Sequence, residues 1–492
     1  MKYPLIYEVN ARWWLRDSSG TENRKHTLST VPEPWLEQLQ RWGVTHLWLM
    51  GAWTTGPRSR ACSRRLPGLR QEGKAAWPDF SLHDIGGSPF ALAGYEVPRA
   101  LGGEAGLKKL RERLAQRGIA LLLDFVPNHT GLDHPWLQSS PSLYVQSPGR
   151  RAECFLEDTA EGPRWIAHGK DPFFPAWVDT AQLDYRNPAT RQAMIAELER
   201  IATLCDGVRC DMAMLVLNDV FARNWSGFPC VHQAPSGEFW AEALAAARGR
   251  TPGFLFLAEV YWDLEARLQQ LGFDYTYDKR LYDYLVARNY PEARRHLLAL
   301  PPAFHQASAH FLENHDEARI AATLSWPEHR VALLITLAMP GARLLYDRQC
   351  HGETRRVSVH CARQPAPSPD PEIAEFYDRL LTVLQHTAVG QGEGRVLRLE
   401  PAWPDNPTWQ DLVVIQWQAG PDSFDLAVAN LAPHRAQGYA RLTASGLDQS
   451  LWNLADLLGA ERYERRGEDL QRQGLYLDVP GHATQLFHFT RQ

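Results

Sequence analysis

Six side chains that can act as acids, bases or charge partners stand at the ends of short apolar segments of this 492-residue chain. They are Asp211, Glu259, Asp316, Arg209, His129 and His315. Two carboxyl groups about 5–5.5 Å apart can cleave a glycosidic bond with retention of configuration, because an ionised one attacks the anomeric carbon while a protonated one gives a proton to the leaving oxygen. Arg209, two residues before Asp211, lies on the same side of its strand, where its charge keeps Asp211 ionised and oriented.

These side chains need a scaffold, and eight apolar, β-rich segments alternate with helical patterns along the chain. The segments are residues 5–10, 44–50, 119–125, 207–211, 254–260, 273–277, 309–313 and 342–346. Continuous apolar runs indicate strands covered on both faces, as in a parallel sheet. We therefore predict an α/β fold, a (β/α)8 TIM barrel, in which residues at the carboxyl ends of the strands meet at one face. An open doubly wound sheet is disfavoured because no Gly-rich phosphate loop follows the first segment.

The helical patterns and the long connections predict the domain organisation. Amphipathic helices are expected at residues 34–42, 104–116, 188–204, 237–248, 281–298, 327–339 and 373–385. The segment after the third strand is too long for a plain connection and is rich in aromatic and turn residues, which favours a small inserted domain B. Alternating segments after about residue 393 predict a C-terminal antiparallel β-sandwich. The predicted domains are 1–130 and 181–392 (barrel, domain A), 131–180 (domain B) and 393–492 (domain C).

Composition limits the function classes. The chain has 52 Lys and Arg against 57 Asp and Glu, a net charge of −5, with 44% hydrophobic residues, so it is globular and gives no reason to expect nucleic acid or an anionic membrane as a partner. No signal peptide is visible, and no apolar run approaches the roughly 18 residues of a membrane span. Seven scattered cysteines without a C-x-x-C pair suit free thiols in a reducing compartment. We therefore predict a cytoplasmic protein.

Four motifs carry a family resemblance. DFVPNH (124–129), GVRCD (207–211), AEVYW (258–262) and ENHD (313–316) resemble the four signature regions of the α-amylase superfamily, glycoside hydrolase family 13, in the family's order. They fall on the third, fourth, fifth and seventh predicted strands. The resemblance implies a barrel with domains B and C and a retaining α-glycoside hydrolase. Its expected substrate is an oligosaccharide or small α-glucoside.

The same resemblance implies roles for the charged residues. Asp211 matches the nucleophile, Glu259 the general acid/base, and Asp316 the carboxylate that holds the 2- and 3-hydroxyls of the sugar in the transition state. Arg209 matches the partner of the nucleophile. His129 and His315 match hydroxyl-binding histidines at subsite −1. Asp124 matches the structural Asp of the first motif and is grouped with the substrate-binding residues.

Aromatic positions and departures from the family pattern lead to further expectations. Trp262 is placed either to stack on the leaving-group sugar or to pack beneath its loop, and Phe90 stands where the family has a Tyr that stacks under the sugar at −1. Met214 and Leu215 replace the usual Lys-His pair, so no cofactor and no metal ion are expected, and calcium is disfavoured although Asn128 could serve as a ligand. These departures resemble the bacterial maltosyltransferase and trehalose-metabolising branches more than starch-degrading enzymes.

Three other functions stay open at this point. An α-glucan or maltosyl transglycosylase would use the same covalent intermediate, with a sugar hydroxyl in place of water. A catalytically inactive sugar-binding protein on the same fold is disfavoured because all three carboxylates are present. A barrel metal hydrolase would use His129, Glu259, His315 and Asp316 as ligands, but the chain has neither H-x-H at the first strand nor H-E-x-x-H.

Overall fold

Eight parallel strands close into a barrel, as the sequence predicts. The computed structural model describes residues 3–22 and 25–492; residues 1, 2, 23 and 24 of the predicted domain A lie outside the described residues. The barrel strands are Leu5–Asn10, His46–Met50, Ala120–Phe125, Gly207–Cys210, Leu255–Ala258, Tyr275–Tyr277, Ser308–Phe311 and Ala342–Tyr346. The first strand pairs with both the second and the eighth, so the sheet has no free edge. The predicted fold class is confirmed.

The alternation of side chains along each strand explains both the apolar runs and the positions of the charged residues. In the third strand Leu121 and Leu123 pack outward against the helices, while Leu122 fills the barrel interior together with Ile6 and Trp48. Side chains two residues apart share a face. Asp124 therefore continues the interior face of Leu122, and Glu259 that of Leu257.

Helices connect the barrel strands, and a few lie in the segments outside the barrel. They span Ala11–Glu22, Glu33–Arg41, Pro57–Ser63, Pro67–Ala76, Gly103–Ala115, Trp136–Ser139, Pro188–Ile201, Asn218–Asn224, Phe239–Arg250, Glu265–Gln270, Lys279–Val286, Tyr290–Ala299, Pro302–Gln306, Ile320–Thr323, Trp326–Ala338, Pro371–Leu384 and Gly467–Gln473. None of the helices in the described residues has the length and apolar character needed to cross a lipid bilayer.

One helix prediction was wrong. The single helix expected over residues 281–298 is two helices, Lys279–Val286 and Tyr290–Ala299. Arg288, between them, adopts a left-handed conformation with φ of 57°, which ends the first helix. Pro291 then occupies the first turn of the second helix, where its missing N–H costs nothing.

Within the described residues, five antiparallel sheets lie outside the barrel. After the third barrel strand, Gln146–Ser147, Cys154–Thr159 and Gly162–Ala167 form an antiparallel sheet, and His129–Gly131 pairs with Thr180–Gln182. The C-terminal part has a six-stranded antiparallel sheet (Glu393–Val396, Leu412–Gln418, Ser423–Asn430, Thr484–Arg491, Leu451–Asp456 and Arg462–Arg466) and a three-stranded one (Leu399–Pro401, Ala436–Ala440 and Leu475–Val479). A short antiparallel pair, Thr54–Thr55 with Leu92–Gly94, lies after the second barrel strand. The exact domain boundaries stay a prediction.

Candidate active site

A cavity of about 700 Å³ opens at the carboxyl ends of the barrel strands. It is lined by six of the residues that the sequence analysis singled out, namely Asp211, Glu259, Asp316, His129, Phe90 and Trp262. Asp171, residues 174–180, Val359 and His360 also line it, together with Leu66, Ser88, Met212 and Tyr261. The structure thus brings these predicted residues together around one space large enough for a small ligand.

Arg209 joins two of the carboxylates. Its Nη1 donates to Asp211 Oδ1 at 2.7 Å, and its Nη2 lies 2.8 Å from Glu259 Oε2. The guanidinium is fully buried, with its central carbon 5.2 Å from the ring centres of both Trp48 and Phe90. Because both carboxylates contact one immobile cation, they are held on the same side of the cavity.

The backbone adds a further contact to Glu259. The N–H of Met212 donates to Glu259 Oε2 at 2.6 Å, in addition to the ion pair with Arg209. Met212 adopts φ of 42°, a left-handed conformation that is unfavourable for a side chain with a Cβ. This strained turn directly after Asp211 aims the N–H at Glu259 and fixes the two carboxylates relative to each other.

The protonation of the pair follows from its surroundings. Burial raises the pKa of Asp211 and of Glu259, and the charge of Arg209 opposes the rise in both. The negative charge of Asp316 raises the pKa of both groups, and that of Asp211 raises the pKa of Glu259 as well, whereas the His315 charge favours ionised Asp211. The charges of Asp211 and His315 thus favour a proton on Glu259 over one on Asp211.

His315 forms a second charge arrangement with two carboxylates. Its Nδ1 lies 2.5 Å from Glu8 Oε1, and its Nε2 lies 3.0 Å from Asp316 Oδ2. Burial disfavours the charged imidazole, but the two carboxylates outweigh it and raise the pKa of His315 well above its usual range. Although burial opposes its ionisation, Asp316 has a lowered pKa because of the adjacent His315. Asp316 is therefore an ionised carboxylate whose side chain is 45% exposed at the cavity.

The remaining predicted residues differ in their contact with the cavity. Burial lowers the pKa of His129 to about 4, so its imidazole is neutral at pH 7. The Phe90 ring lies 5.3 Å from the His315 ring, at the floor of the cavity. Trp262 lines the wall, 5.1 Å from the ring of Phe173, which is 68% exposed. Arg209 and His315 contact the site carboxylates without lining the cavity themselves.

Asp124 lies away from the cavity, in contrast to its grouping with the substrate-binding residues. It is 1% exposed, and its two oxygens accept hydrogen bonds from Trp48 Nε1 and from the backbone N–H of Gly51, each at 3.0 Å. Its carboxylate ties the third strand to the second strand and to the turn that follows it. Asp124 therefore positions the scaffold beneath the site.

Two functional side chains escaped the sequence analysis. Glu8 is completely buried in the first strand and holds the far side of His315. An acidic residue inside the apolar segment LIYEVN is the signal that could have indicated it. Tyr261 lines the cavity, and its hydroxyl donates to Glu259 Oε1 at 2.8 Å. Its place two residues after Glu259 gave no separate signal among so many aromatic residues.

The Tyr261 hydroxyl predicts a measurable pH effect. A hydrogen bond donated to a carboxylate favours its ionised form, so Tyr261→Phe raises the pKa of Glu259. A general acid works below its pKa, and we therefore expect the alkaline limb of kcat/KM to move upward by up to about one pH unit. The pH profile of the variant measures this directly. An alkaline limb that stays in place, with only the maximal rate reduced, would mean that Tyr261 acts on substrate rather than through Glu259.

Two groups of polar atoms in the described part of the chain bear on metal binding. Asn128 Oδ1 and the backbone oxygens of Asn128 and Leu183 all accept hydrogen bonds from Gln182 Nε2, at 3.0, 2.8 and 3.0 Å. An amide donor thus stands where a calcium ion would have to meet these oxygens, so this donor set does not fit calcium. Elsewhere, Asp278, His296 and His305 place one ligand atom each within 4.8 Å of the others. The Asp278 oxygens already accept from the Leu281 backbone N–H and pair with His296.

The Gln182 arrangement predicts indifference to calcium. Dialysis against EDTA should change the thermal unfolding midpoint by no more than about 1 °C and should leave the activity unchanged. The reason is that calcium cannot stabilise a native state to which it does not bind. Added calcium should likewise have no effect. A midpoint that falls on chelation and recovers with calcium, but not with magnesium, would show that these oxygens do hold the ion.

Comparison with known proteins decides the family. The sequence profile of the α-amylase catalytic domain matches residues 94–361, more than half of the chain. The chain belongs to the α-amylase family. The match covers the site motifs from Asp124 to Asp316. The branch of the family to which the chain belongs stays a prediction.

Relatives within the family are distant. α-Amylase MalA of Haloarcula japonica is 26% identical over 271 residues, which are 53% of this chain and 36% of that protein. α-Amylase 3 of Dictyoglomus thermophilum is 23% identical over 367 residues, 70% of this chain and 63% of that protein. The chain thus spans between about a third and two thirds of the length of these curated relatives. The crystal structure of a maltogenic α-amylase, AmyB, from Thermotoga neapolitana has the same fold over 100% of this chain and 99% of its own, with a TM-score of 0.69 and 19% identity.

Proposed function

We propose that the protein is a retaining α-glycoside hydrolase acting on α-glucosidic bonds of oligosaccharides or small α-glucosides. The observation that carries this proposal is the placement of Asp211 and Glu259 on one buried guanidinium, facing the cavity that Asp316 also lines. One carboxylate is ionised and the other keeps a proton at short range, which is the requirement for double displacement at an anomeric carbon. Family membership supports the same conclusion.

In the proposed mechanism, each step is carried out by one of these side chains. Asp211 attacks the anomeric carbon and forms an ester, while the proton of Glu259 passes to the departing glycosidic oxygen. Glu259 then takes a proton from water as the water oxygen attacks the same carbon, which releases Asp211 and restores the starting protonation. Asp316, ionised beside the charged His315, accepts hydrogen bonds from sugar hydroxyls, and these bonds strengthen as the ring flattens.

A second candidate function, transglycosylation, is favoured by the rim of the cavity. Phe173 and Phe174 are 68% and 69% exposed; Phe173 packs on Trp262, and Phe174 lines the cavity together with Trp177, so exposed aromatic rings lie at its entrance. Aromatic faces bind sugar rings, and a sugar acceptor held there would reach the glycosyl-enzyme before water. An α-glucan or maltosyl acceptor is therefore the alternative to water in the second step.

Other readings receive less support. His315 cannot act as a metal ligand in a barrel metal hydrolase, because both of its ring nitrogens face the carboxylates Glu8 and Asp316. An inactive sugar-binding protein has no need for the strained Met212 turn that fixes Glu259. The seven free cysteines favour a reducing compartment, and we propose a cytoplasmic location.

Product analysis by NMR tests the proposal. Malto-oligosaccharides, maltose, sucrose, trehalose and maltose-1-phosphate are offered in turn, and the first product is expected to carry the α configuration. New oligosaccharides rather than free glucose would favour transfer over hydrolysis. A β-configured first product would exclude the double displacement. Sugar binding without turnover, equal in the protein and in Asp211→Asn, would favour the inactive sugar-binding protein.

A further inference from the structure

A second cavity, of about 350 Å³, lies beside the catalytic one. Every charged side chain that lines it is an arginine. Arg12, Arg60 and Arg64 contribute guanidinium groups and His83 an imidazole, and no Asp or Glu lines it. Arg12 follows the first barrel strand, and the other two arginines belong to the helix Pro57–Ser63 and the residue that caps it. Three positive charges thus converge on one small space without a counter-charge.

The groups that accept hydrogen bonds from Arg12 and Arg64 are neutral. Arg12 donates from Nη1 to the Gly87 carbonyl at 3.0 Å and from Nη2 to Thr55 Oγ1 at 3.2 Å, and Arg64 Nε donates to the Ile85 carbonyl at 3.2 Å. Arg60 Nε is buried and finds no acceptor among the described residues. Burial, together with the charge of Arg60, lowers the pKa of Arg12 to about 10.

An anion is the ligand that would pair with these three buried or half-buried guanidinium groups. Buried charges in proteins are ordinarily paired, because an unpaired one forfeits its hydration without compensation. Guanidinium groups match the oxygens of a phosphate in both geometry and charge. The volume is at the lower end of the range for small-molecule sites, which fits a phosphate carrying a group no larger than one sugar ring.

We propose that this pocket binds a phosphate group, either as free orthophosphate or as the phosphate of a small phosphorylated sugar. No residue lines both this pocket and the catalytic cavity, and binding of phosphate here does not depend on the function proposed above, whereas any effect on catalysis does. The wall of the pocket is shared with that cavity: the backbone N–H groups of Gly86 and Gly87 donate to the carbonyl of His360 at 2.7 and 3.0 Å, and His360 lines the catalytic side.

The shared wall gives the bound anion a route to catalysis. Arg12 donates to the Gly87 carbonyl and packs closely against this turn, since a Cβ on Gly86 would lie 3.0 Å from Arg12 Nη1. An anion that draws Arg12 toward it changes the contact between Gly87 and His360. Occupancy is therefore expected to alter KM for the catalytic reaction more than kcat.

Isothermal titration calorimetry at 150 mM NaCl tests the site with orthophosphate, glucose 6-phosphate and glucose as probes. Arg60→Gln and Arg64→Gln should each weaken phosphate binding at least tenfold. Arg65→Gln is the matched control, since Arg65 is exposed, adjacent in sequence and outside the pocket, and it should change the Kd less than twofold. Glucose should not bind at this site. Unchanged thermal unfolding midpoints would establish that the variants are folded.

Each outcome of the titration bears on the proposal. Equal affinity for orthophosphate and glucose 6-phosphate identifies the phosphate group alone as the ligand, and tighter binding of the ester identifies a phosphorylated sugar. Equal weakening by Arg60→Gln and Arg65→Gln would reveal a general charge effect and overturn the site. Binding that survives in both pocket variants, or no binding of either phosphate at 10 mM, would overturn it as well.

Discussion

Replacement of Asp211 by alanine is expected to lower kcat/KM by at least about 10⁴-fold on every α-glucoside that the protein cleaves. The variant has no atom that can form the ester with the anomeric carbon, so both steps of the reaction are lost. Arg209 keeps its second partner, Glu259, and no apolar side chain is removed from the core. The fold should therefore persist. Initial rates with a malto-oligosaccharide, measured at enzyme concentrations high enough to detect residual activity, check the size of the loss.

A second carboxylate in the same cavity provides the control for Asp211. Asp171 is also buried and lines the cavity, but its Oδ1 accepts backbone hydrogen bonds from Phe173 and Phe174, at 2.6 and 2.9 Å. Asp171→Asn retains an acceptor oxygen and should reduce the rate less than about tenfold. Circular dichroism melts of both variants establish folding. A folded Asp211→Ala protein with substantial activity would remove Asp211 from the nucleophile role, whatever the control shows.

Local patterns in the sequence were sufficient for the scaffold and for the convergence of the site. Runs such as LLLDF are apolar on both faces because alternate residues pack inward and outward, so all eight barrel strands could be predicted. Closure of the barrel then brings the strand ends together, which is why Asp211 and Glu259 share Arg209. The break between the helices at residues 286 and 290 was missed because the helical spacing of apolar residues continues across it. The left-handed conformation of Arg288 does not change that spacing, so the sequence pattern did not indicate it.

The parts that could not be predicted depend on contacts between distant segments. Glu8 and His315 are 307 residues apart, and only the closed barrel places them within 2.5 Å. Gln182 donates to the oxygens of Asn128 across 54 residues, and this contact could not be predicted from the sequence, where only the absence of the usual Lys-His pair disfavoured calcium. Asp124 matches a motif residue, yet its place outside the cavity lining is held by hydrogen bonds from Trp48 and Gly51, which the sequence alone does not indicate.

Replacement of Glu259 by glutamine should separate substrates according to their leaving groups. Gln keeps the shape of the side chain and still meets the Met212 N–H, but it has no proton to donate. General acid catalysis contributes about 10²–10⁴-fold, so kcat/KM for a malto-oligosaccharide, whose leaving alkoxide is a strong base, should fall by about that factor. For α-glucosyl fluoride, whose leaving fluoride needs little protonation, the loss in the first step should be less than about tenfold.

The second step of the reaction, measured in Glu259→Gln, tests the role of Glu259 as the base. Without Glu259 as base, water attacks the glycosyl-enzyme slowly, so α-glucosyl fluoride should give a burst of fluoride followed by a slow steady rate. Azide needs no deprotonation and should restore turnover, with α-glucosyl azide as the product, whereas Asp211→Ala cannot yield this retained product. Glu265→Gln, which changes a carboxyl outside the cavity, is the matched control and should behave like the unmodified protein. Equal losses on the fluoride and the oligosaccharide, with no response to azide, would show that Glu259 is not the proton donor, because a group that only binds substrate affects both leaving groups alike.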